Sequence, residues 1–340
     1  MVQRKPVASP LLLDVHDLTV DYGDENAAIC ALSGVDLVVN EGEFLAVVGE
    51  SGCGKSTLCF GIAQLLPATA RIVRGSVVFK GTNLVTLHEK QLRRVRWREY
   101  AVVMQSAMNA LNPVLTIGEQ FRDALEAHER ISKREARVRA EKMLHMVGVA
   151  PSHVKSYPHQ LSGGMRQRAM IAMALLFTPE LLIMDEPTSA LDVVAQRALM
   201  RQLKELQRRF GFAVLFVTHD VSLVSRFSDR VVVMYAGEIV EVNDTRRLFD
   251  ACHPYTVGLL QSFPSITNPE IRLEGIPGQP PDLRSPPSGC RFHPRCGSQM
   301  PQCRSVAPRL CRVGEALVRC HLYNPQSKEH GSSSRPGTCA

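Results

Sequence analysis

Nine residues constrain this chain more than any others. Gly49 to Thr57 read GESGCGKST, between an apolar run with strand character, Phe44 to Val48, and a run with helix character from Ser56 onward. Glycines at that spacing let successive backbone amides turn toward one point. The N-terminus of the following helix adds its own unpaired amides and the positive end of its dipole. This is a phosphate loop in the strand–loop–helix setting it requires. Lys55 is expected to reach the β and γ phosphates of a nucleoside triphosphate. Ser56 is expected to ligate Mg²⁺, with Thr57 beside it. A glycine-rich turn with an incidental lysine is the alternative, and it leaves the flanking strand and helix unexplained.

A phosphate loop needs a parallel core, and the middle of the chain reads as one. Leu181 to Met184 and Ala213 to Val217 are short apolar runs of the kind buried on both faces. They alternate with helical stretches at 165–177 and 193–209, and Tyr100 to Gln105 adds another strand. Leu58 to Leu66 reads as the helix after the loop, stopped by Pro67. In front, residues 11–24 alternate like an antiparallel edge strand, followed by strand-like runs at 35–39 and 77–79. Residues 88–100 read as a basic helix and 116–149 as one or two helices with a solvated, charged face. No run approaches the roughly eighteen apolar residues of a membrane span. The start of the chain lacks the apolar core of a secretory signal, so a cytosolic chain is expected. The net charge of +7 permits an anionic partner without requiring one, and a single Trp argues against stacking platforms for single-stranded nucleic acid.

Three further motifs carry chemistry. Leu181–Glu186 is an apolar strand ending in two acids. Asp185 is expected to hold the Mg²⁺ shell and Glu186 to polarise an attacking water as general base. His219 follows the strand ending at Val217 and is expected to contact the γ-phosphate and orient that water; a strand-end histidine with a purely structural role is the alternative. Residues 161–168 read LSGGMRQR, a serine and two glycines ahead of a helix. That makes a second anion-binding helix terminus, although one phosphate loop already serves the nucleotide.

With this second terminus the chain resembles the ATP-binding subunits of the ABC transporter superfamily. The resemblance covers residues 11–250. It implies that two such domains sandwich two ATP molecules head to tail, the LSGG of one facing the phosphate loop of the other. Carried over position by position, Tyr22 stacks on adenine. Gly49, Ser51, Gly52, Cys53, Gly54, Lys55, Ser56 and Thr57 bind ATP. Gln105 senses the γ-phosphate, contributes to Mg²⁺ and couples to the membrane subunit. Leu161, Ser162, Gly163, Gly164, Met165 and Gln167 form the signature that meets the partner's ATP. Ser189, Ala190, Leu191 and Asp192 form the D-loop. The implied fold is α/β: a P-loop NTPase core with an antiparallel β layer and a helical subdomain at about 106–178, plus a small irregular Cys-rich C-terminal domain. The expected divisions are 1–250 for the nucleotide-binding domain, 251–323 for a C-terminal extension and 324–340 for a disordered tail.

Lys55 and Leu161 stand only 106 positions apart, too close for the inserted coiled coil of the DNA-repair types, and a single ATPase unit argues against the soluble translation factors. HPYTVGLLQSFP from His253, then GIPGQPPDL, GCRFHPRC and CHL, resemble the extension of oligopeptide, dipeptide and nickel importer subunits. The resemblance implies an ATP hydrolase coupled to peptide import, peripheral on the cytoplasmic face of the cell membrane. Its implied partners are a second, non-identical ABC ATPase, two integral-membrane permeases and, indirectly, an extracytoplasmic peptide-binding protein, with no nucleic acid. A nickel or other small-solute importer is the near alternative; a soluble ABC ATPase acting on nucleic acid or ribosomes is the distant one. The groove for the permease is expected beside Gln105 to Glu119, with Met108, Leu111 and Val114 as apolar contacts or as ordinary core.

Cysteines crowd the extension. The spacing Cys290-x₅-Cys296-x₆-Cys303-x₁₆-Cys320, with Cys311 inside the last interval, supplies soft ligands without a C-x₂-C knuckle. The resemblance implies a [4Fe–4S] cluster on Cys290, Cys296, Cys303 and Cys320. Structural zinc and metal-free thiols stay open, as does a place for Cys311, His293 or His321. A staple of some kind is expected because the proline-rich stretch 275–289 leaves the extension a small core of its own.

Overall fold

A computed structural model describes residues 10–24, 28–104, 110–189, 191–262 and 275–323. Gln105, Met108, Ala190 and the tail 324–340 lie outside the described residues. The first half of the chain forms β1 (Leu11–Tyr22), β2 (Ile29–Asn40), β3 (Phe44–Val48), α1 (Lys55–Ala63), β4 (Ala70–Phe79), β5 (Thr82–Asn83), α2 (Glu89–Val95), β6 (Tyr100–Val103), α3 (Ile117–Glu126), α4 (Lys133–Met146) and α5 (Gly163–Ala174). The second half forms β7 (Leu181–Asp185), α6 (Val193–Phe210), β8 (Ala213–Val217), α7 (Val221–Phe227), β9 (Arg230–Tyr235), β10 (Glu238–Asp244), α8 (Pro254–Gln261), β11 (Cys311–Val313) and β12 (Ala316–Val318). These elements fall into two compact units, one of Met1–Leu13, Val39–Phe44 and Phe79–Phe216, the other of Asp14–Val38, Leu45–Val78 and Val217–Ala340.

In the first unit, β6 and β7 run parallel, Tyr100 opposite Leu181 through Val103 opposite Met184, and the order is β8-β7-β6. Every residue of β7 and β8 is buried, the physical reason both read as unbroken apolar runs. The helices α3, α4 and α5 pack together. Thr116 opens α3 with a capping box, its Oγ1 accepting the Glu119 amide while Glu119 Oε2 accepts the Thr116 amide. Ser132 restarts the helical path at α4 by accepting the Glu135 amide, so the stretch at 116–149 is two helices. Ile117, Phe121 and Leu125 of α3 and Ala136, Ala140 and Leu144 of α4 are buried.

In the second unit, β3 and β9 are parallel and the sheet order is β11-β12-β10-β9-β3. Ala236 and Gly237, both at positive φ, turn β9 back into β10, the turn chemistry a tight hairpin demands. In the other sheet β2, β1 and β4 are neighbours in that order. Here β1 is flanked on both sides and is not the edge strand its alternation implied. The expected helix stop at Pro67 comes earlier: Gln64 adopts a left-handed C-cap and its amide bonds Gly61 O. The basic stretch at 88–100 is helical only over Glu89–Val95.

The extension departs furthest from expectation. It is not wholly irregular: Cys311–Val313 and Ala316–Val318 form a hairpin about Gly314, and β12 pairs with β10, Glu241 opposite Val318. Ala316, Val318, Cys320 and Cys252 form a small buried cluster under it.

Candidate nucleotide site

β3 delivers the chain to the phosphate loop and α1 carries it away. A Cβ on Gly49 would lie 2.3 Å from Met234 O and 2.7 Å from Cys53 Sγ, so no side chain fits. Gly52 and Gly54 hold left-handed conformations, and Gly54 is the N-cap of α1 without a side-chain cap. The first-turn amides of α1 are thereby left to a ligand. Lys55 is buried, and its Nζ donates to Gly49 O at 2.8 Å and Glu50 O at 2.9 Å. The ammonium is thus fixed beneath the loop backbone. Cys53 is buried beside it, and burial pushes its thiol up, with Lys55 opposing. Ser51 is exposed and Ser56 half-buried. Tyr22 ends β1 with its hydroxyl 3.3 Å from Thr57 Oγ1, which brings the expected adenine platform to the start of α1.

Thr218, directly after β8, donates its amide to Val47 O of β3 at 3.1 Å. The next residue, His219, therefore leaves a strand end one strand from the loop, and it is exposed. Asp220 then caps α7, accepting the Ser222 amide at 2.8 Å.

The first unit carries the other motifs. Asp185 ends β7 and is buried, and Glu186 follows at φ 45°, a left-handed conformation unusual for a side chain of its size. Glu186 O accepts from the Ser189 amide and hydroxyl, closing a tight turn into the D-loop. Asp192 caps α6 by accepting the Ala195 amide at 2.8 Å. Ser162 caps α5, accepting the Met165 amide at 3.3 Å, and is exposed. Ser162, Gly163, Gly164 and Met165 join Leu191 and Asp192 around a concavity of about 460 Å³. Signature and D-loop thus share one opening at the N-terminus of α5. Gln167 is not part of it, with its side chain buried, and Leu161 is buried as well.

The donor set of the phosphate loop suits a nucleotide: amides and an ammonium for phosphate, and the Ser56 hydroxyl as a hard oxygen of the kind Mg²⁺ takes; Asp185, a carboxylate of the first unit, is of the same donor class. Residues 32–189 match the ABC transporter family, and residues 240–303 match the oligopeptide/dipeptide transporter C-terminal region. A dipeptide transport ATP-binding protein of Caldanaerobacter subterraneus is 44% identical over 92% of this chain and 97% of its own length. The chain belongs to the oligopeptide/dipeptide ABC transporter ATP-binding family. An oligopeptide transport ATP-binding protein of Bacillus subtilis is 41% identical over 93% of this chain and 90% of its own length. Among solved structures, the dimeric MJ0796, a bacterial ABC transporter cassette, superposes with a TM-score of 0.63 at 31% identity, covering 69% of this chain and 99% of that one.

In this ABC ATPase the described cysteines of the extension are free thiols, Cys303 and Cys320 buried and Cys290, Cys296 and Cys311 half-buried. Burial pushes Cys320 up to about 12, and Cys290, Cys296 and Cys303 all add to the shift. Cys290 is pushed up to about 11, again by burial first, with Cys303 and Cys296 contributing. The Cys290 amide bonds Cys303 O at 2.8 Å, an approach that only Gly289 permits, since a Cβ there would meet that oxygen at 2.5 Å. Cys311 sits instead on β11 opposite Val318. His293 Nδ1 pairs with Cys290 O and His321 Nε2 with Val306 O. Among the described residues no three His, Cys, Asp or Glu form a group that could hold a metal ion, so the expected ligand set is not assembled.

Three residues show no role in the sequence: Glu50 of the phosphate loop and, from the extension, Tyr255 and Arg295, each of which bonds Glu50. The only local sign was polar residues placed inside the HPY and HPRC segments.

Proposed function

We propose that this chain is the ATP-binding and ATP-hydrolysing subunit of a binding-protein-dependent importer of di- or oligopeptides. The observation that carries it is one chain holding both a built phosphate loop and a solvent-facing Ser162–Gly163–Gly164 terminus flanked by the D-loop. The second terminus needs a nucleotide held elsewhere, which makes the partner a second ATPase, proposed to be non-identical. Loop amides and Lys55 hold the ATP phosphates, and Tyr22 receives the adenine. Mg²⁺, when bound by Ser56 and Asp185, supplies charge neutralisation at the β and γ phosphates. Glu186 takes a proton from the water that attacks the γ-phosphorus; the bond to the β–γ bridging oxygen breaks, releasing ADP and phosphate. His219 orients that water. Gln105 is assigned the γ-phosphate and coupling role by family resemblance. Two permeases, a cytoplasmic-face location and an indirect link to a peptide-binding protein complete the reading. It is supported by the relatives, which are dipeptide and oligopeptide transport ATP-binding proteins. The functional divisions proposed are 1–250, with a helical subdomain at about 106–178, and 251–323.

Glu186→Gln in the full chain is expected to bind ATP and lose turnover by about 10²- to 10⁴-fold. Hydrolysis at the wild-type rate would remove Glu186 from its role. Purification with two permeases supports the importer; a soluble dimer with nucleic-acid-stimulated ATPase would overturn it.

The finer reading of the extension is a [4Fe–4S] cluster on Cys290, Cys296, Cys303 and Cys320, with zinc as the alternative. Its support is the family resemblance carried by the spacing of these four cysteines, together with the position of Cys311 on β11 opposite Val318. Bound metal would draw the buried thiols to thiolate, reversing the shift burial imposes. Anaerobically purified protein is expected to hold about four iron and four sulfide per chain, and Cys311→Ser to retain them. One zinc and no iron would reject the cluster.

A further inference from the structure

Glu50 is the second residue of the phosphate loop, and each of its polar groups is held. Its carbonyl accepts from Lys55 Nζ at 2.9 Å, and its amide donates to the Tyr255 hydroxyl at 2.9 Å. Its carboxylate takes both arms of the Arg295 guanidinium, at 2.7 Å and 3.0 Å. Two of the three anchors come from beyond residue 250.

The grip is built rather than incidental. The Arg295 side chain is 6% exposed, and its Nε donates to Pro277 O at 2.7 Å, so the proline-rich segment wraps the guanidinium. The guanidinium also lies 5.8 Å over the Tyr235 ring, which packs against Tyr255 at 4.6 Å and Phe292 at 5.2 Å. A bidentate fork of this kind fixes direction as well as charge, which an ammonium cannot do. The electrostatic need is plain. A carboxylate on a loop that must collect phosphate charge repels its ligand unless a cation neutralises it.

We propose that Arg295, with Tyr255, is a positioning residue for ATP: the extension neutralises and orients Glu50 and so holds the phosphate loop ready for the nucleotide. This rests on the ATPase reading above. It gives the proline-rich wrap a task at the nucleotide site.

The test uses the full chain in its reconstituted transporter, measuring KM for ATP, kcat and Tm. Arg295→Met is expected to raise KM about tenfold with kcat within about twofold, and Arg295→Lys to raise it about threefold. Adding Glu50→Gln to Arg295→Met removes the repelling charge and returns KM to within about threefold of wild type. Arg284→Ala, which removes an exposed guanidinium of the same extension, leaves KM unchanged. If Arg295→Met does not fold, Arg295→Lys carries the test. An unchanged KM in a folded Arg295 variant, or an equal KM rise in the double variant, overturns the proposal. A wild-type transporter that hydrolyses no ATP sinks the ATPase reading and this inference with it; normal wild-type hydrolysis with an unaffected Arg295→Lys sinks the inference alone.

Discussion

His253 does two jobs, one with its neutral ring and one with its backbone amide. Its Nδ1 accepts the Tyr255 amide at 3.0 Å as the N-cap of α8, while its own amide donates to Glu241 Oε2 at 2.9 Å. Burial holds the imidazole down to about 4, against 6.5 for an ordinary histidine. The folded state therefore binds fewer protons here than the unfolded chain. Stability from this group is intact above about pH 6.5 and falls as pH drops toward 4, by about 3 kcal/mol at most. Glu241 has the opposite sign: burial pushes its carboxyl up, so acid relieves the cost of its buried charge. His253→Asn keeps a cap acceptor and removes the titration. Between pH 7.5 and 4.5 the Tm of wild type should fall more steeply than that of the variant. Parallel curves would show that His253 does not set the acid limb.

Strand approach decides the antiparallel layer. Gly75 of β4 crosses β1 so closely that a Cβ would sit 2.5 Å from both His16 O and Asp17 O, and its φ is +98°. Asp17 itself bulges at φ 50°, accepts Arg74 Nε at 2.7 Å and donates its amide to Asp36 Oδ1. Three strands thus meet at one irregular point. Gly75→Ala is expected to cost about 2–3 kcal/mol, from the clash and the left-handed backbone together. Gly81→Ala, at φ +79° with nothing within 4 Å, should cost only about 1 kcal/mol. Equal Tm losses in the two variants would mean that backbone conformation, not crowding, sets the requirement for glycine at position 75.

What the sequence made legible follows how local the physics is. The phosphate loop, LSGG and the buried runs at 181–185 and 213–217 each declare themselves within a few residues, because glycine freedom, helix termini and burial on both faces act locally. The central place of β1 depends on neighbours chosen elsewhere in the chain, and its alternation cannot show how many it has. The salt bridge from Arg295 to Glu50 and the contact of the signature with Leu191 join residues that no periodicity links. The three-residue strands of the hairpin at 311–318 are too short to show a period at all, yet they cover the outer side of β10. That cover has a consequence in time. A ribosome releases β10 well before it reaches residue 316. Until then the outermost hydrogen-bonding row of a nearly finished sheet stands open to any passing strand, so this stage of synthesis is where the nascent chain most needs a chaperone.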